Sequence, residues 1–590
     1  MRTAETPERA RVESPRLRVG RARALAWAGL ATVLGVGLAL RLWGVRQGLP
    51  FAYNADEADH FVPHAVRMFQ EGTLNPHYFA NPPAFTYLLH FLYVIWFGSG
   101  AAVVRAYRLY PQELYTLARV AAALLGTAAL WLLYATGERL FGRATALLAT
   151  AIEAVAFLPV FYAHLALNDV PTLAPLTLSL LGSSGVLRRG RMRDHALAGI
   201  GLGLACATKY TAGIVLLPYL AAAVSRYLED DPALARRALL GVPLAGACAI
   251  AAFLIANPYA VLDYSSFHAE LVRQSTLSAE PQGKLGAPRQ GGLLYYLWSL
   301  TWGLGWVPAL AALGGALTIW RSERRLGWLL VPAPVLFIIF MGTQGRYFGR
   351  WLLPIFPILC LLAAFFAMRV LAALARGRGM GVRVSLAAAA LVVVALLAQG
   401  LIYSVHSGLV LSRSDTRAIA RRWMLAHVPA GSPIVAEPVS PDEWANETRP
   451  GTSTASNRPR WVKYPSLVPR IGVGGALESV PGHELTIEDY VRTLAPALIS
   501  YYERNRYCWV LSGSTQAGRA FADPQAVPLA VAYYRALARQ GQVVFRASPY
   551  RRGHGPVAFN FDWSFDYYPL AYERPGPEIT IYRLHGGRCS

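Results

Sequence analysis

The segment Asn54-Ala55-Asp56-Glu57-Ala58-Asp59-His60 sets four ionisable side chains within five positions, and His64 follows one turn later. Two adjacent carboxylates suit a general base whose neighbour tunes its pKa or holds an acceptor. The plain alternative is the acidic first turn of a solvated helix. His60 and His64, at i and i+4, could bind a divalent metal, although interfacial histidines are more often simply polar. A third acid, Asp169, stands in Ala166-Leu167-Asn168-Asp169-Val170-Pro171, between two apolar runs. An acid in that setting is costly and points to function, and before Val170-Pro171 it also suits the cap of the next helix. Lys209 interrupts two apolar segments, and Arg346-Tyr347-Phe348-Gly349-Arg350 does the same further on. Lys209 could simply snorkel to an interface. Together, Lys209, Arg346 and Arg350, with Tyr347 among them, could hold a phosphate, for which arginine offers bidentate geometry. The candidates are therefore Asp56, Glu57 and Asp169 for catalysis, Lys209, Arg346, Tyr347 and Arg350 for a phosphate, and His60 and His64 for a metal.

The elements that must position these residues are apolar helices. The 590-residue chain is 54% hydrophobic and only 15% charged, against about 25% in soluble proteins. Its formal charge of +22 does not indicate nucleic acid, because the Lys and Arg residues form short clusters between apolar runs, as in the cytoplasmic loops of membrane proteins. About eleven runs reach spanning length: 24–43, 114–136, 143–162, 170–187, 194–209, 211–226, 237–257, 293–320, 326–341, 351–374 and 383–409. A cleaved leader is one reading of the first run; the many later runs favour a retained signal anchor. Ala84–Gly98 is short for a bilayer and reads as an interfacial or re-entrant helix.

Eleven spans place one set of arginines together: the N-terminal group, then Arg139 and Arg143, Arg188–Arg193, Arg226–Arg237, Arg321–Arg325, and Arg376–Arg383. The positive-inside rule makes that side cytoplasmic. If Ala84–Gly98 spanned as well, every later loop would change sides and the bias would break. The opposite face then receives the 44–113 loop, the Asp169 and Lys209 turns, the 258–290 loop, the Arg346–Arg350 turn and the tail. The candidate residues thus share one face, beside apolar walls. Tyr259, Asp263, Tyr264, His268, Arg273 and Lys284 could cover it.

The expected organisation is a cytoplasmic basic segment (1–23), a membrane part (24–409) with interfacial helices in the 44–113 loop, and an extracytoplasmic α/β domain (410–590). In the last, a helix is expected over 415–427, capped by Ser414 or Asp415. Strands are expected near 433–436, 507–511, 543–545 and 579–582, and helices near 489–503 and 528–540. The cysteines, Cys206, Cys248, Cys360, Cys508 and Cys589, form no CxxC pair, and neither a disulfide framework nor a zinc site follows from their spacing.

These features resemble the dolichyl-phosphate-mannose protein mannosyltransferase family and its bacterial relatives, including the lipid A aminoarabinose transferases. The resemblance rests on Asp56-Glu57 after the first span, Pro82-Pro83 before an aromatic helix, the Ala166–Pro171 segment, Thr208-Lys209, and Arg350-Trp351-Leu352-Leu353-Pro354-Ile355-Phe356-Pro357. It implies a C-superfamily glycosyltransferase fold, a sugar donor on a polyprenyl phosphate and inversion at the anomeric carbon. By the same resemblance Asp56 is the general base, Asp169 the second acid, and Lys209 and Arg346 hold the leaving phosphate. Asn81 stands where aminoarabinose transferases carry lysine, and His164 where many relatives carry arginine. No cofactor beyond the His60/His64 metal is indicated, and the partners are the lipid-linked sugar, the bilayer and an extracytoplasmic acceptor: protein, lipid or glycan. Two other functions compete: a flippase of lipid-linked substrates, which should show paired broken helices or internal symmetry at the midplane, and an oligosaccharide-transferring member of the same superfamily.

Overall fold

The computed structural model describes residues 15–279, 285–286, 291–377, 382–464, 467–471, 477–481, 490–560 and 567–589. Lys284, Arg378 and most of the basic N-terminal segment lie outside the described residues.

The apolar runs become helices in the expected order. The first, α1 (Pro15–Leu42), leads to the 44–113 loop. There α2 (Ala55–Asp59) is capped by Asn54, whose side chain accepts the Glu57 N–H at 3.1 Å. The next helix, α3 (Phe61–Glu71), ends at left-handed Gly72. After the Pro82-Pro83 corner come α4 (Ala84–Phe97) and α5 (Gly100–Leu109), bent against each other by 94°. At about 1.5 Å per residue, α4 covers about 21 Å, too little for a core of about 30 Å. Leu88, Phe91, Ile95 and Trp96 are exposed on one side of it, an apolar stripe at helical spacing. The bent pair fits a broken span as well as the expected re-entrant or interfacial helix.

The bundle continues with α6 (Pro111–Phe141), α7 (Arg143–Val155), α8 (Phe157–Tyr162), α9 (Leu173–Arg189) and α10 (Met192–Thr208), then a 3₁₀ turn at Tyr210–Val215 and α11 (Leu216–Tyr227). It is completed by α12 (Pro232–Ala256), α13 (Tyr259–Leu262), α14 (Tyr264–Ala279), α15 (Gly292–Leu300), α16 (Trp306–Ser322), α17 (Arg324–Leu330), α18 (Pro332–Gly342), a 3₁₀ segment Gly349–Ile355, α19 (Phe356–Gly377) and α20 (Val382–Leu411). Among the described residues, seven helices are long and apolar enough to cross a membrane, or eight if the bent α4–α5 pair counts as one span. The four other expected spans, 143–162, 170–187, 194–209 and 211–226, form shorter or broken helices, α9 and α10 having 17 residues each. Chain direction changes at their ends, and that is where Asp169 and Lys209 sit. Gly199 and Gly203 let α10 lie directly on α12, since a Cβ at either would fall on the carbonyls of Ala245 and Ala249. That close packing fixes the end of α10 that carries Lys209.

After α20 the chain forms the expected α/β region. Asp415 caps α21 (Thr416–His427), its side chain accepting the Arg417 N–H at 2.8 Å. The strands are β1 (Pro433–Ala436), β2 (Asn446–Thr448), β3 (Ala455–Pro459), β4 (Val462–Lys463), β5 (Leu467–Ile471), β6 (Leu477–Pro481), β7 (Trp509–Gly513), β8 (Gln542–Ala547) and β9 (Ile579–Arg583). The helices are α22 (Ala497–Arg504), α23 (Ser514–Ala522) and α24 (Pro528–Gln540). One mixed sheet has the order β4-β1-β7-β9-β8, with β1 parallel to its neighbours and β9 antiparallel to both of its own; β2-β3 and β5-β6 are separate hairpins. The cysteine reading is corrected here. Cys508 and Cys589 form a disulfide across 81 residues of sequence, a pairing that no local spacing pattern reveals. Residue 489, the start of one expected helix, lies outside the described residues.

The α/β region grips the membrane part. The Arg417 guanidinium lies 3.7 Å over the Tyr53 ring and Arg421 5.3 Å from the Phe51 ring. Tyr567 is buried among Trp302 and Phe161, and its hydroxyl meets that of Tyr162 at 2.8 Å.

Candidate active site

Four residues from four distant elements meet. Asp56 stands in α2, Asp169 in the turn before α9, Lys209 at the C-cap of α10, and Arg350 at the start of the 3₁₀ segment before α19. Lys209 is ion-paired with Asp169. Arg350 donates to Asp56 at 2.6 Å and approaches the second Asp169 oxygen at 3.8 Å. The Arg350 guanidinium also lies 4.8 Å from the Phe348 ring and 5.8 Å from that of Tyr162. The Asp56 side chain keeps 36% of its exposure, whereas Asp169 keeps 4%. Two acids and two cations thus alternate, with one acid open to a substrate and the other walled in.

The expected second role of Asp169 as a helix cap is not met: α9 begins at Leu173 with Thr172 before it, and the Asp169 carboxylate is turned to Lys209 and Arg350. The neighbouring Asn168 donates its amide to the Thr208 carbonyl at 2.6 Å, so the two turns are tied on either side of the ion pair.

Glu57 departs from the sequence expectation. Its side chain is fully buried, takes two bonds of 2.7 Å from the Arg119 guanidinium and accepts the Ala166 N–H at 2.7 Å. Arg119 also donates to the carbonyls of Val45 and Gln47 at 2.9 and 2.8 Å. With no open face toward Asp56's side of the helix, Glu57 is a brace linking α2, α6 and the segment before Asp169. Arg119 escaped the sequence reading, although an arginine inside the apolar run 114–136 was a visible signal.

His60 and His64 stack on opposite reaches of Tyr78, with ring centroids 5.2 and 4.5 Å away, and His64 Nδ1 lies 3.0 Å from the Pro76 carbonyl oxygen. Burial lowers the pKa of both, that of His64 to about 4, and raises the Asp59 carboxyl. Among the described residues no three His, Cys, Asp or Glu side chains gather to hold a metal ion. The metal expected at His60 and His64 therefore lacks the further ligands that such sites require. Asn81 donates to the Tyr78 hydroxyl at 2.6 Å, and His164 is buried with Nε2 2.9 Å from the Trp43 carbonyl oxygen.

Of the other phosphate candidates, Tyr347 is buried with its ring 4.7 Å from that of Tyr295. Arg346 lies in the turn before Arg350, where its backbone N–H donates to the Ser278 carbonyl of α14 at 3.2 Å. That bond ties the 258–290 loop to the turn. At its other end Glu270 accepts the N–H groups of Phe79 and Ala80, and Asp263 accepts the Asn75 amide at 2.8 Å. Of the residues expected to cover the site, Asp263 is thus an anchor.

A cavity of about 870 Å³ opens between the 44–113 loop and the α/β region. Asp56 and Arg350 stand in its wall with Tyr53, Tyr107, Tyr162 and Tyr568, while Asp169 and Lys209 are outside it. The site therefore has two sides, one facing this cavity and one facing Lys209.

Residues 112–260 match the model of the family described as dolichyl-phosphate-mannose-protein mannosyltransferase. That segment contains Arg119, Asp169 and Lys209. No curated protein sequence matches the chain. Among solved structures, the chain is similar to the Archaeoglobus fulgidus oligosaccharyltransferase in its apo form, at 13% identity over 92% of this chain and 75% of that one, with a TM-score of 0.49. It is similar to ArnT from Cupriavidus metallidurans bound to undecaprenyl phosphate, at 15% identity over 96% and 98%, with a TM-score of 0.44. It is also similar to the Saccharomyces cerevisiae protein O-mannosyltransferase Pmt1-Pmt2 complex bound to its sugar donor, at 18% identity over 41% and 34%, with a TM-score of 0.33. Through residues 112–260, which hold Asp169 and Lys209, this multi-pass membrane protein is similar to the dolichyl-phosphate-mannose-protein mannosyltransferases.

Proposed function

We propose that this chain is a polyprenyl-phosphate-sugar-dependent glycosyltransferase that inverts the anomeric carbon and works on the extracytoplasmic face. The observation that carries the reading is the convergence of Asp56, Asp169, Lys209 and Arg350 in one alternating network. Asp56, the exposed acid, takes the proton of the acceptor hydroxyl as the acceptor oxygen bonds to the anomeric carbon. The bond from that carbon to the phosphate oxygen breaks, and the polyprenyl phosphate departs with the electron pair. Lys209 and Arg350 meet the charge that develops there, with Arg346 as a further cation from the same turn. Asp169 holds Lys209 and Arg350 in place before the donor arrives. Glu57 acts at one remove, fixing α2 through Arg119.

The orientation rests on two supports. The arginine clusters favour one cytoplasmic side, and the Cys508–Cys589 disulfide suits an oxidising compartment for the α/β region. The division into a basic segment 1–23, a membrane part 24–409 and an extracytoplasmic domain 410–590 follows from the same reading. A flippase would place its charged groups near the midplane, whereas these four residues lie at helix ends.

The test gives purified protein a labelled polyprenyl-phosphate sugar and a membrane extract, and follows release of polyprenyl phosphate. Wild type should release it and Asp56→Asn should not. Equal release by the two would remove Asp56 as the base, and no release by wild type would remove the donor class.

A further inference from the structure

The 870 Å³ cavity does not end at Asp56. It runs outward along Gln70 and Arg108 to Arg449 and Asn457, and the same four residues line a second, more open cavity of about 790 Å³. The two cavities adjoin at these residues, with the open acid in the wall of the first. Arg105 and Arg108, on α5, and Arg449, after β2, stand around the second. Among the described residues Arg449 donates to neutral groups, the Ala455 carbonyl at 3.1 Å and the Asn457 amide oxygen at 3.4 Å. Among the described residues, none of the three arginines has a carboxylate partner, whereas Arg119, Arg350 and Arg417 all have one. Three arginines without counterions around a cavity are a site for an anion, and their planar donors fit phosphate.

The position indicates the source of that anion. α4 exposes Leu88, Phe91, Ile95 and Trp96 on one side, and the 94° bend turns α5 away from it where α4 ends. If that exposed apolar side lies in lipid, Arg105 and Arg108 meet the headgroups, where basic residues attract anionic lipid. We infer that the acceptor is a phosphate-bearing, membrane-held molecule whose phosphate sits on Arg105, Arg108 and Arg449 while its hydroxyl reaches Asp56 along the joined cavities. This rests on the glycosyltransferase reading and adds the chemical class of the acceptor. The donor occupies the Lys209 side of the network and the acceptor the cavity side, so the two phosphates never compete for one cation.

The experiment uses the full chain in phosphatidylcholine nanodiscs doped with phosphatidic acid as the probe, with retained lipid counted by native mass spectrometry. Wild type should retain phosphatidic acid over phosphatidylcholine. The variant R105Q/R108Q/R449Q should lose roughly 100-fold in that retention, on the scale of three basic residues at a membrane surface, while binding the polyprenyl-phosphate sugar as wild type does. Equal retention by wild type and variant, or no preference by wild type, overturns the site. Complete displacement of the lipid by inorganic phosphate at equal concentration overturns the membrane-held source and leaves a site for a free phosphate. If wild type fails to bind the sugar donor while phosphatidic acid retention still depends on the arginines, the glycosyltransferase reading falls and the anion site stands.

Discussion

The candidate site and the C-terminal sheet both hold carboxylates, but they neutralise them differently. At the site, Asp56, Glu57 and Asp169 each face a cation. In the sheet, Glu437 follows β1, is 1% exposed and is held by neutral donors: the Tyr534 hydroxyl at 2.8 Å, the Ser512 hydroxyl at 3.1 Å and the Gly513 N–H at 2.7 Å. Burial pushes its carboxyl up to about 7. Paired charges can be exchanged for those of a substrate, since a phosphate can take over the cations and leave an acid free to act. A carboxyl among neutral donors keeps its proton instead and serves the fold. The contrast recurs between neighbours: Asp56 is open and shares a partially exposed arginine, while Glu57 is sealed with Arg119.

The largest effect that would sharpen this contrast is in the open acid. Asp56→Asn should lower the rate of sugar transfer by roughly 10²- to 10⁴-fold, the range for removal of a general base, with melting temperature unchanged. A rate within a few-fold of wild type would make Asp56 as structural as its neighbour. Breaking the sealed pair should do the reverse. Arg119→Leu leaves a buried charge alone and should cost about 3–5 kcal/mol of stability, read as lost expression or a lower melting temperature in detergent. A folded, inactive Arg119→Leu protein would instead place that pair in the chemistry. Next, Lys209→Ala should reduce turnover by roughly 10²-fold, the effect of removing one group that stabilises developing charge, with donor binding weakened as well.

The two regions should also respond to pH with opposite signs. In the sheet, the folded state holds a proton on Glu437 up to about pH 7, while an unfolded carboxyl releases it near 4.5. Stability from this group is present below pH 4.5 and is lost as pH rises through 7. Glu437→Gln should flatten that loss in melting curves between pH 5 and 8. At the site, burial holds the His64 pKa near 4, below its ordinary 6.5. Its contribution is present above pH 6.5 and lost as pH falls toward 4. Because His64 is only partly buried, His64→Gln should relieve that acid sensitivity by the smallest margin of these tests.

Much of this was legible in the residues themselves. Asp56, Asp169, Lys209 and Arg350 stood out because a charge beside apolar runs is costly without a role. The helix α4 was visible as a run too short to span by itself. The strands β1, β8 and β9 and the cap at Asp415 followed from alternation and capping chemistry. What was hidden depended on distance along the chain. Glu57 reads like Asp56 until Arg119 arrives from 62 residues away, and Cys508 finds Cys589 only in the folded sheet. Arg346 and Arg350 are one turn apart in sequence and equivalent on paper, and it takes the fold to bring Arg350 to both acids. Tyr567, which enters the membrane part from the far end of the chain, had no local signature.

The order of the sheet bears on how the chain matures. β9 is made after β7 and β8, yet it lies between them. Synthesis must run past residue 583 before either of those strands gains this neighbour, and until then both display unpaired edges of the kind that recruit other chains. A ribosome stalled short of Ile579 would leave a finished membrane bundle carrying an unfinished, adhesive tail, a product that cellular quality control could recognise by its open strands alone.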